Sequence, residues 1–363
     1  MRGERVGVVG AGTMGAGIAK LAAGAGIEVV MHDPDADALA VGVERAGEDI
    51  TSAGELDGLG GCTLVIEAAP EQLDLKRELF ARLESVCGAD AVLATNTSSL
   101  SVTAVAAGAE RPGRIVGMHF FNPPTRMKLV EVIAGDDSSD AALGATTAMA
   151  EAMGRTPIRA RDSVGFVANR CARPFTLESL RMLGEGVGTH DEIDRVCRVA
   201  GGFRMGAFEL MDLIGIDVNF AVARSFFDQS FGEPRWRPHP IQQRMVDSGR
   251  LGRKSGRGFY DYSGAEHRPA DPERVPEELE SAIMPRLAAC IANEGCFALG
   301  DRVATEEDIN TAMRLGFNWP LGPTEWGERL GWSRALGTLE ELRELHGDAY
   351  RPAADLRRRA SSR

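Results

Sequence analysis

Over residues 5–135 short β-rich runs alternate with amphipathic helical stretches, and the rest of the chain is helical with an internal echo at a fixed offset. Together these predict an α/β domain built on a parallel sheet, followed by an all-α domain present in two copies. A length of 363 residues fits, being too long for one ordinary domain. The strand candidates are 5–9, 28–32, 63–67, 91–95, 115–119 and 129–133. Between them lie helical patterns: 16–23, 34–49, and 71–86, where Leu75, Leu79, Leu83 and Val86 share one face.

The first strand-to-helix turn sharpens the prediction to a Rossmann-like domain. Val6-Gly7-Val8-Val9 runs into Gly10-Ala11-Gly12-Thr13-Met14-Gly15 and then a helix. Gly10 suits the tight turn, Gly12 lets backbone approach a pyrophosphate, and Gly15 allows close helix packing. Asp33 ends the second strand 18 residues past Gly15, where a carboxylate binds both ribose hydroxyls and repels a 2′-phosphate. The loop therefore predicts NAD rather than NADP.

In open α/β sheets ligands bind beyond the carboxyl ends of the strands. Pro70-Glu71 follows one strand, Asn96-Thr97-Ser98-Ser99 the next, and His119-Phe120-Phe121-Asn122-Pro123-Pro124 the one after. Histidine suits removal of a hydroxyl proton near neutral pH, although a lone His at a strand end is more often structural. Glu131 lies among apolar residues in Leu129-Val130-Glu131-Val132-Ile133, so a buried carboxylate there needs a partner, and His119 is the obvious one. The competing reading of Glu131 is an edge-strand residue facing water. The Thr/Ser run serves equally to cap a helix beginning near Ser101, which would use one hydroxyl and leave another for a substrate oxygen.

Lys+Arg 41 against Asp+Glu 53 gives a formal charge of −12, which offers no general attraction to nucleic acid or an anionic membrane. No signal-peptide pattern opens the sequence and no apolar run approaches bilayer length. Six scattered cysteines without a CxxC pair or metal-like cluster read as reduced core residues of a cytoplasmic protein. The Arg-rich end, 357–363, reads as a frayed tail.

Gly10-x-Gly12-x-Met14-Gly15, Asn96-Thr97-Ser98-Ser99-Leu100, His119-Phe120-Phe121-Asn122-Pro123 and Lys128-Leu129-Val130-Glu131-Val132-Ile133 together resemble the L-3-hydroxyacyl-CoA dehydrogenase family. Gly165-Phe166-Val167-Ala168-Asn169-Arg170 and Gly252-Arg253-Lys254-Ser255-Gly256 extend the resemblance over nearly the whole chain. It implies an NAD-dependent oxidoreductase with its active site between a Rossmann-like and a helical domain. His119 would be the base, Glu131 its orienting partner, and Ser98 and Asn169 the groups holding the substrate's oxygens. The family's NAD contacts fall on Asp33, Glu71, Lys76, Ser98, Asn122 and Lys254.

A shift of 116 pairs Arg170 with Arg286, Glu178 with Glu294, Thr189 with Thr305, Ile193 with Ile309, Gly206 with Gly322, Glu209 with Glu325 and Gly215 with Gly331. The predicted domains are thus 1–160 for NAD, 161–262 for helical copy one and 278–345 for copy two, joined by a linker over 263–276. Asn169 falls on Pro285, so one active site per chain is expected. Copy two would replace a dimer partner, giving a monomer with an internal pseudo-dimer; a homodimer is the other expectation.

The stretch between Asp33 and Glu67 is shorter than the family's, which carries there a basic hairpin that clamps CoA. Residues 21–75 contain no lysine, and Arg45 is their one arginine. Either CoA binds by other contacts, or the thioester arrives on an acyl carrier protein in secondary-metabolite biosynthesis. The candidate docking patch for such a partner is Arg235-Trp236-Arg237-Pro238-His239 with Arg244, Arg250, Arg253 and Arg257. A small free hydroxy acid as substrate, or a non-catalytic NAD-binding scaffold, are the other expectations.

Overall fold

The structure is a computed structural model that describes residues 4–47, 49–264 and 270–362. It divides into two units, Met1–Phe166 and Val167–Arg363. Among its described residues the first holds eight strands: β1 (Arg5–Val9), β2 (Glu28–His32), β3 (Ile50–Ala53), β4 (Leu64–Glu67), β5 (Val92–Thr95), β6 (Ile115–Phe120), β7 (Leu129–Ala134) and β8 (Thr156–Arg161). They form one sheet in the order β3-β2-β1-β4-β5-β6-β7-β8. Its central strands read as nearly unbroken apolar runs because helices cover both faces, so Val6, Val8, Val65, Ile66, Leu93 and Val116 are all fully buried.

The sheet departs from the all-parallel expectation at one place. β6 and β7 pair antiparallel, joined by a loop too short for a crossover helix. β3 and β8 were absent from the sequence expectation as well. β3 is a four-residue edge strand with two exposed positions, and β8 alternates exposed and buried residues, so neither carries the continuous apolar run of a central strand.

The covering helices are α1 (Thr13–Gly24), α2 (Ala36–Ala46), α3 (Leu73–Val86), α4 (Val102–Ala106) and α5 (Asp140–Ala152). The shared face expected of α3 is largely a core face, with Leu83 fully buried and Leu79 and Val86 packed against the core, and it departs from the expectation only at Leu75. Lys76, Phe80 and Leu83 are buried, whereas Leu75 is 40% exposed. Leu75 and Leu79 line a cleft of about 620 Å³ that also reaches Gly10, Gly12 and Asp33. Between Asp33 and Glu67 the chain runs directly through α2, β3 and one 3-10 turn, Leu56–Leu59, with no helical hairpin among the described residues.

The second unit is helical: α6 (Ala168–Glu185), α7 (His190–Val199), α8 (Ala207–Ile214), α9 (Ile216–Gln229), α10 (Pro240–Asp247), α11 (Glu277–Gly300), α12 (Glu306–Gly316), α13 (Pro323–Leu330), α14 (Trp332–His346) and α15 (Ala354–Ser361). α6 and α11 are tied by two buried ion pairs, Arg170 to Glu294 at 2.8 Å and Arg286 to Glu178. α11 is long and apolar enough to cross a membrane, but 67% of its apolar window is buried inside the protein, as in the core helix of a globular unit. The expected frayed tail is helical instead: Leu356 is fully buried and Arg359 pairs with Glu306 and Asp355. Residues 265–269 of the expected linker lie outside the described residues, while Asp271 closes an ion pair with Arg198 at 2.5 Å. All six cysteines are free thiols.

Candidate active site

The glycine loop sits where the sheet order reverses, between β1 and β4, the switch point of an open α/β sheet. Gly10 has φ +99°, and a Cβ there would meet the Ala68 carbonyl oxygen at 2.6 Å. A Cβ on Gly15 would lie 1.8 Å from the Gly10 carbonyl oxygen, so α1 can approach the loop this closely only through glycine. A Cβ on Gly12 would meet nothing within 4 Å. Its hydrogen is therefore not demanded by packing and fits a ligand laid against the loop. α1 begins at Thr13, Gly12 supplies no side-chain cap, and no acidic residue lies in the first turn, so the helix's leading N–H groups face an anion site. Thr13 is exposed and Met14 half-buried there. The Asp33 carboxylate accepts from the Ala11 N–H at 2.8 Å and the Asp35 N–H at 3.0 Å, which fixes its position beside the loop. The 620 Å³ cleft over these residues is of the size small-molecule cofactors occupy.

Antiparallel pairing places His119 and Glu131 directly opposite each other on β6 and β7. Glu131 is fully buried, not an edge residue facing water, and its Oε2 lies 2.7 Å from His119 Nδ1. A carboxylate can only accept, so Nδ1 carries the proton and Nε2 presents its lone pair. The Phe121 and Phe166 rings flank the imidazole at 4.6 and 5.9 Å. The pair therefore provides a base whose cationic form is stabilised from behind, in surroundings of low polarity.

The Ser/Thr run following β5 does not cap α4. Ser101 does so, accepting from the Ala104 N–H. The run closes on Glu71 instead, whose Oε1 accepts from Thr97 Oγ1 (2.6 Å), the Ser98 N–H (2.9 Å), the Ser99 N–H (3.0 Å) and Ser99 Oγ (3.0 Å), with Ser98 Oγ at 3.4 Å. Burial alone would raise the Glu71 carboxyl, but these donors and the Lys76 ammonium outweigh it and hold it below the usual carboxylate range.

Lys76 has no exposed surface. Its ammonium donates to Glu67 Oε1 at 2.6 Å and to the Ala69 carbonyl at 3.3 Å, and lies 3.4 Å from Glu71. It anchors Glu71 from beneath. Glu67, missed by sequence reasoning, and Asn96, listed there only as part of the Asn-Thr-Ser-Ser run, complete this layer. Glu67 accepts from Lys76 and from Thr95 Oγ1 (2.7 Å), and Asn96 Oδ1 accepts from the Phe120 N–H (2.8 Å), tying the end of β5 to the strand that carries His119. The signal for Glu67 was a charged residue closing an apolar strand, and for Asn96 its place at a strand's carboxyl end. Asn122 lies two residues beyond β6 and is exposed.

The remaining candidates lie in the helical unit. Asn169 is the second residue of α6 and half-buried, and Lys254 pairs with Asp217 of α9 at 2.6 Å. The arginine patch is partly structural. Arg235 is half-buried, paired with Glu294 at 2.5 Å and stacked 3.6 Å over Phe297, and His239 caps α10. Arg237, Arg244, Arg250, Arg253 and Arg257 are exposed.

Comparison with known proteins agrees with this geometry. The family model of the 3-hydroxyacyl-CoA dehydrogenase NAD-binding domain matches residues 5–57 and 42–163, and that of the family's C-terminal domain matches 165–262 and 283–362. The chain is 35% identical to a 3-hydroxyadipyl-CoA dehydrogenase of Escherichia coli, over 98% of this chain and 97% of that protein. That alignment spans 462 positions against the 363 residues here, so the relative carries segments with no counterpart in this chain. A 3-hydroxybutyryl-CoA dehydrogenase of Bradyrhizobium diazoefficiens is 37% identical over 73% of this chain and 98% of its own. Among solved structures, a 3-hydroxybutyryl-CoA dehydrogenase from Escherichia coli K12 superposes with a TM-score of 0.93 at 34% identity, covering 99% of this chain and 98% of that one. With the glycine loop, the His119–Glu131 pair and matched family models along both units, the chain belongs to the 3-hydroxyacyl-CoA dehydrogenase family and uses NAD.

Proposed function

We propose that this protein oxidises a (3S)-3-hydroxyacyl thioester to the 3-oxoacyl thioester, or runs the reverse reduction, with His119 as general base. The observation that carries the reading is the buried 2.7 Å contact between His119 and Glu131. His119 Nε2 takes the proton of the 3-hydroxyl, and Glu131 stabilises the imidazolium that results. Ser98 and Asn169 hold the 3-oxygen, and Glu71 fixes the loop bearing Ser98. NAD, held by Gly10, Gly12, Gly15 and Asp33, supplies the two-electron acceptor for carbon 3. Oxidation releases a proton, so alkaline pH favours it and neutral pH favours reduction.

The thioester reading is supported over a free hydroxy acid by the segment Met127-Lys128-Leu129-Val130-Glu131-Val132, which resembles the thioester enzymes, and over a scaffold by the retention of His119, Glu131, Ser98 and Asn169. For the carrier, CoA is supported by the relatives' names. The direct path from Asp33 to Glu67, without a helical hairpin, favours an acyl carrier protein as the second reading. NADH formation, measured with one 3-hydroxyacyl group on either CoA or a phosphopantetheinylated carrier protein and with His119→Ala as blank, decides. Turnover on CoA assigns an acyl-CoA enzyme; turnover only on the carrier moves the enzyme to an assembly line. Silence with both, beside measurable NAD binding, points to a free hydroxy acid, a different acyl group or a scaffold.

The helical unit reads as two copies of one domain, 161–262 and a second beginning near 278. Supporting this, Thr189 and Thr305 cap α7 and α12, and Asp194 and Asn310 each accept N–H groups from the first turn of the next helix. The ion pairs Arg170–Glu294 and Arg286–Glu178 are reciprocal under the 116-residue shift, the signature of a two-fold interface. The protein is then a monomer with an internal pseudo-dimer. Light scattering that gives an obligate dimer paired through the first copy refutes this.

A further inference from the structure

Among the described residues, four of the five buried arginines are paired with carboxylates. Arg114 lies against Glu84, Arg170 against Glu294 and Asp301, Arg198 against Glu209 and Asp271, and Arg286 against Glu178 and Glu185. Arg173, in the second turn of α6, is 5% exposed and makes no ion pair. Its Nε donates to the Asn169 main-chain oxygen at 3.2 Å, its guanidinium lies 5.5 Å from the centre of the Phe226 ring, and its Nη1 is buried without a hydrogen-bond partner. Burial pushes this guanidinium down to about 10, with no acidic group opposing the shift. A buried cation without an anion is costly, so a buried guanidinium with no carboxylate partner is suited to an anion that arrives from outside.

The charge has no counterpart in the second half. The 116-residue shift takes Arg173 to Ala289, which is fully buried in α11, so the equivalent position is filled by a methyl group. The same shift takes Asn169 to Pro285. The amide and the guanidinium are thus absent together from the second half. They are also neighbours in the first: four residues apart they share a side of α6, and helical side chains lean toward the N-terminus, which brings the guanidinium over the turn that carries Asn169.

We propose that Arg173 receives a carboxylate at the far end of the acyl chain, which makes the substrates 3-hydroxyacyl thioesters of dicarboxylic acids. This rests on the reading above, in which Asn169 holds the 3-oxygen. Four residues of helix rise about 6 Å, which suits a carboxylate a few carbons beyond carbon 3. The guanidinium fork matches that group, and an acyl chain ending in methyl leaves the buried cation uncompensated.

The test uses adipyl- and hexanoyl-pantetheine, equal in chain length and lacking the 3-hydroxyl, titrated calorimetrically into the NAD-saturated full-length protein and its Arg173→Gln and Arg173→Ala variants. Pantetheine is common to CoA and carrier proteins, so the carrier does not enter. The wild type is expected to bind the adipyl form about 30-fold more tightly, and either variant to lose that preference while holding the hexanoyl form unchanged. Equal binding of both by the wild type, or equal weakening of both in the variants, overturns the proposal. The wild-type comparison decides even if a variant misfolds. Turnover of the corresponding 3-hydroxyacyl thioesters separates the two readings. Oxidation of both without preference leaves the dehydrogenase and removes the role of Arg173. Carboxylate-selective binding without turnover does the reverse.

Discussion

Glu131→Gln keeps the shape of the side chain and removes its charge. In the structure the carboxylate is fully buried and 2.7 Å from His119 Nδ1, so its main catalytic effect falls on the imidazolium formed as the proton moves. With charge centres about 4 Å apart and an effective dielectric near 20, that attraction is worth about 4 kcal/mol. At 1.36 kcal/mol per decade, kcat/KM should fall about 10³-fold. A second effect acts in the same direction. If the glutamine amide donates to Nδ1, the imidazole proton moves to Nε2, and the base is left in the wrong tautomer. Initial rates of NADH formation across a thioester concentration series give kcat and KM separately, and NAD binding is titrated on the same preparations. The loss should lie in kcat, with NAD affinity unchanged, because Glu131 is enclosed behind the imidazole, away from the glycine loop. A fall below about tenfold, or an equal fall in NAD affinity, refutes the assignment of Glu131 as the partner that stabilises the imidazolium.

Two glycine substitutions separate binding from folding in the first unit. Gly12→Ala puts a methyl group where nothing lies within 4 Å, so thermal stability should move by less than about 1 kcal/mol while NAD affinity falls about tenfold or more, read by melting and by titration. Gly15→Ala drives a methyl group to 1.8 Å from the Gly10 carbonyl and should cost more than about 2 kcal/mol in denaturant unfolding. Asp194 makes the stability of the helical unit depend on pH. Burial raises its carboxyl to about 7 against the two backbone N–H groups and the Tyr260 hydroxyl that donate to it. The protonated form is thus favoured by folding; this stabilisation is complete below the unfolded value near 4 and is lost as pH rises through about 7. Asp194→Asn copies the neutral side chain of Asn310, the residue 116 positions on. Relative to that variant, the wild type should lose about 3 kcal/mol between about pH 4.5 and 8 in urea unfolding. A constant difference across that range would show that Asp194 is ionised throughout.

Local pattern was enough to read much of this protein. The glycine loop between an apolar strand and a helix, Asp33 closing the next strand, and the apolar strands themselves are properties of short segments, because backbone turns and two-sided burial constrain residues close in sequence. His119 and Glu131 could be paired in advance because a carboxylate inside an otherwise apolar strand has few ways to be stable. The matching caps at Thr189 and Thr305 were legible for a similar reason, since a helix start is set by the few residues around it.

What the tertiary structure decided is which faces meet. Periodicity in α3 marked Leu75 and Leu79 as an apolar face, but only the fold shows that face lining the cofactor cleft while Lys76 goes inside. The Ser/Thr run, for which capping α4 was one of two readings, is drawn to a carboxylate 26 to 28 residues away, and no local rule ranks that bond above the cap. The antiparallel turn from β6 to β7 decides that His119 and Glu131 face each other rather than lie on opposite sides of the sheet. Arginines 170 and 173 are indistinguishable as letters in one helix. One is neutralised by a partner 124 residues away and the other is not, because charge compensation depends on distances through space that the order of residues does not contain.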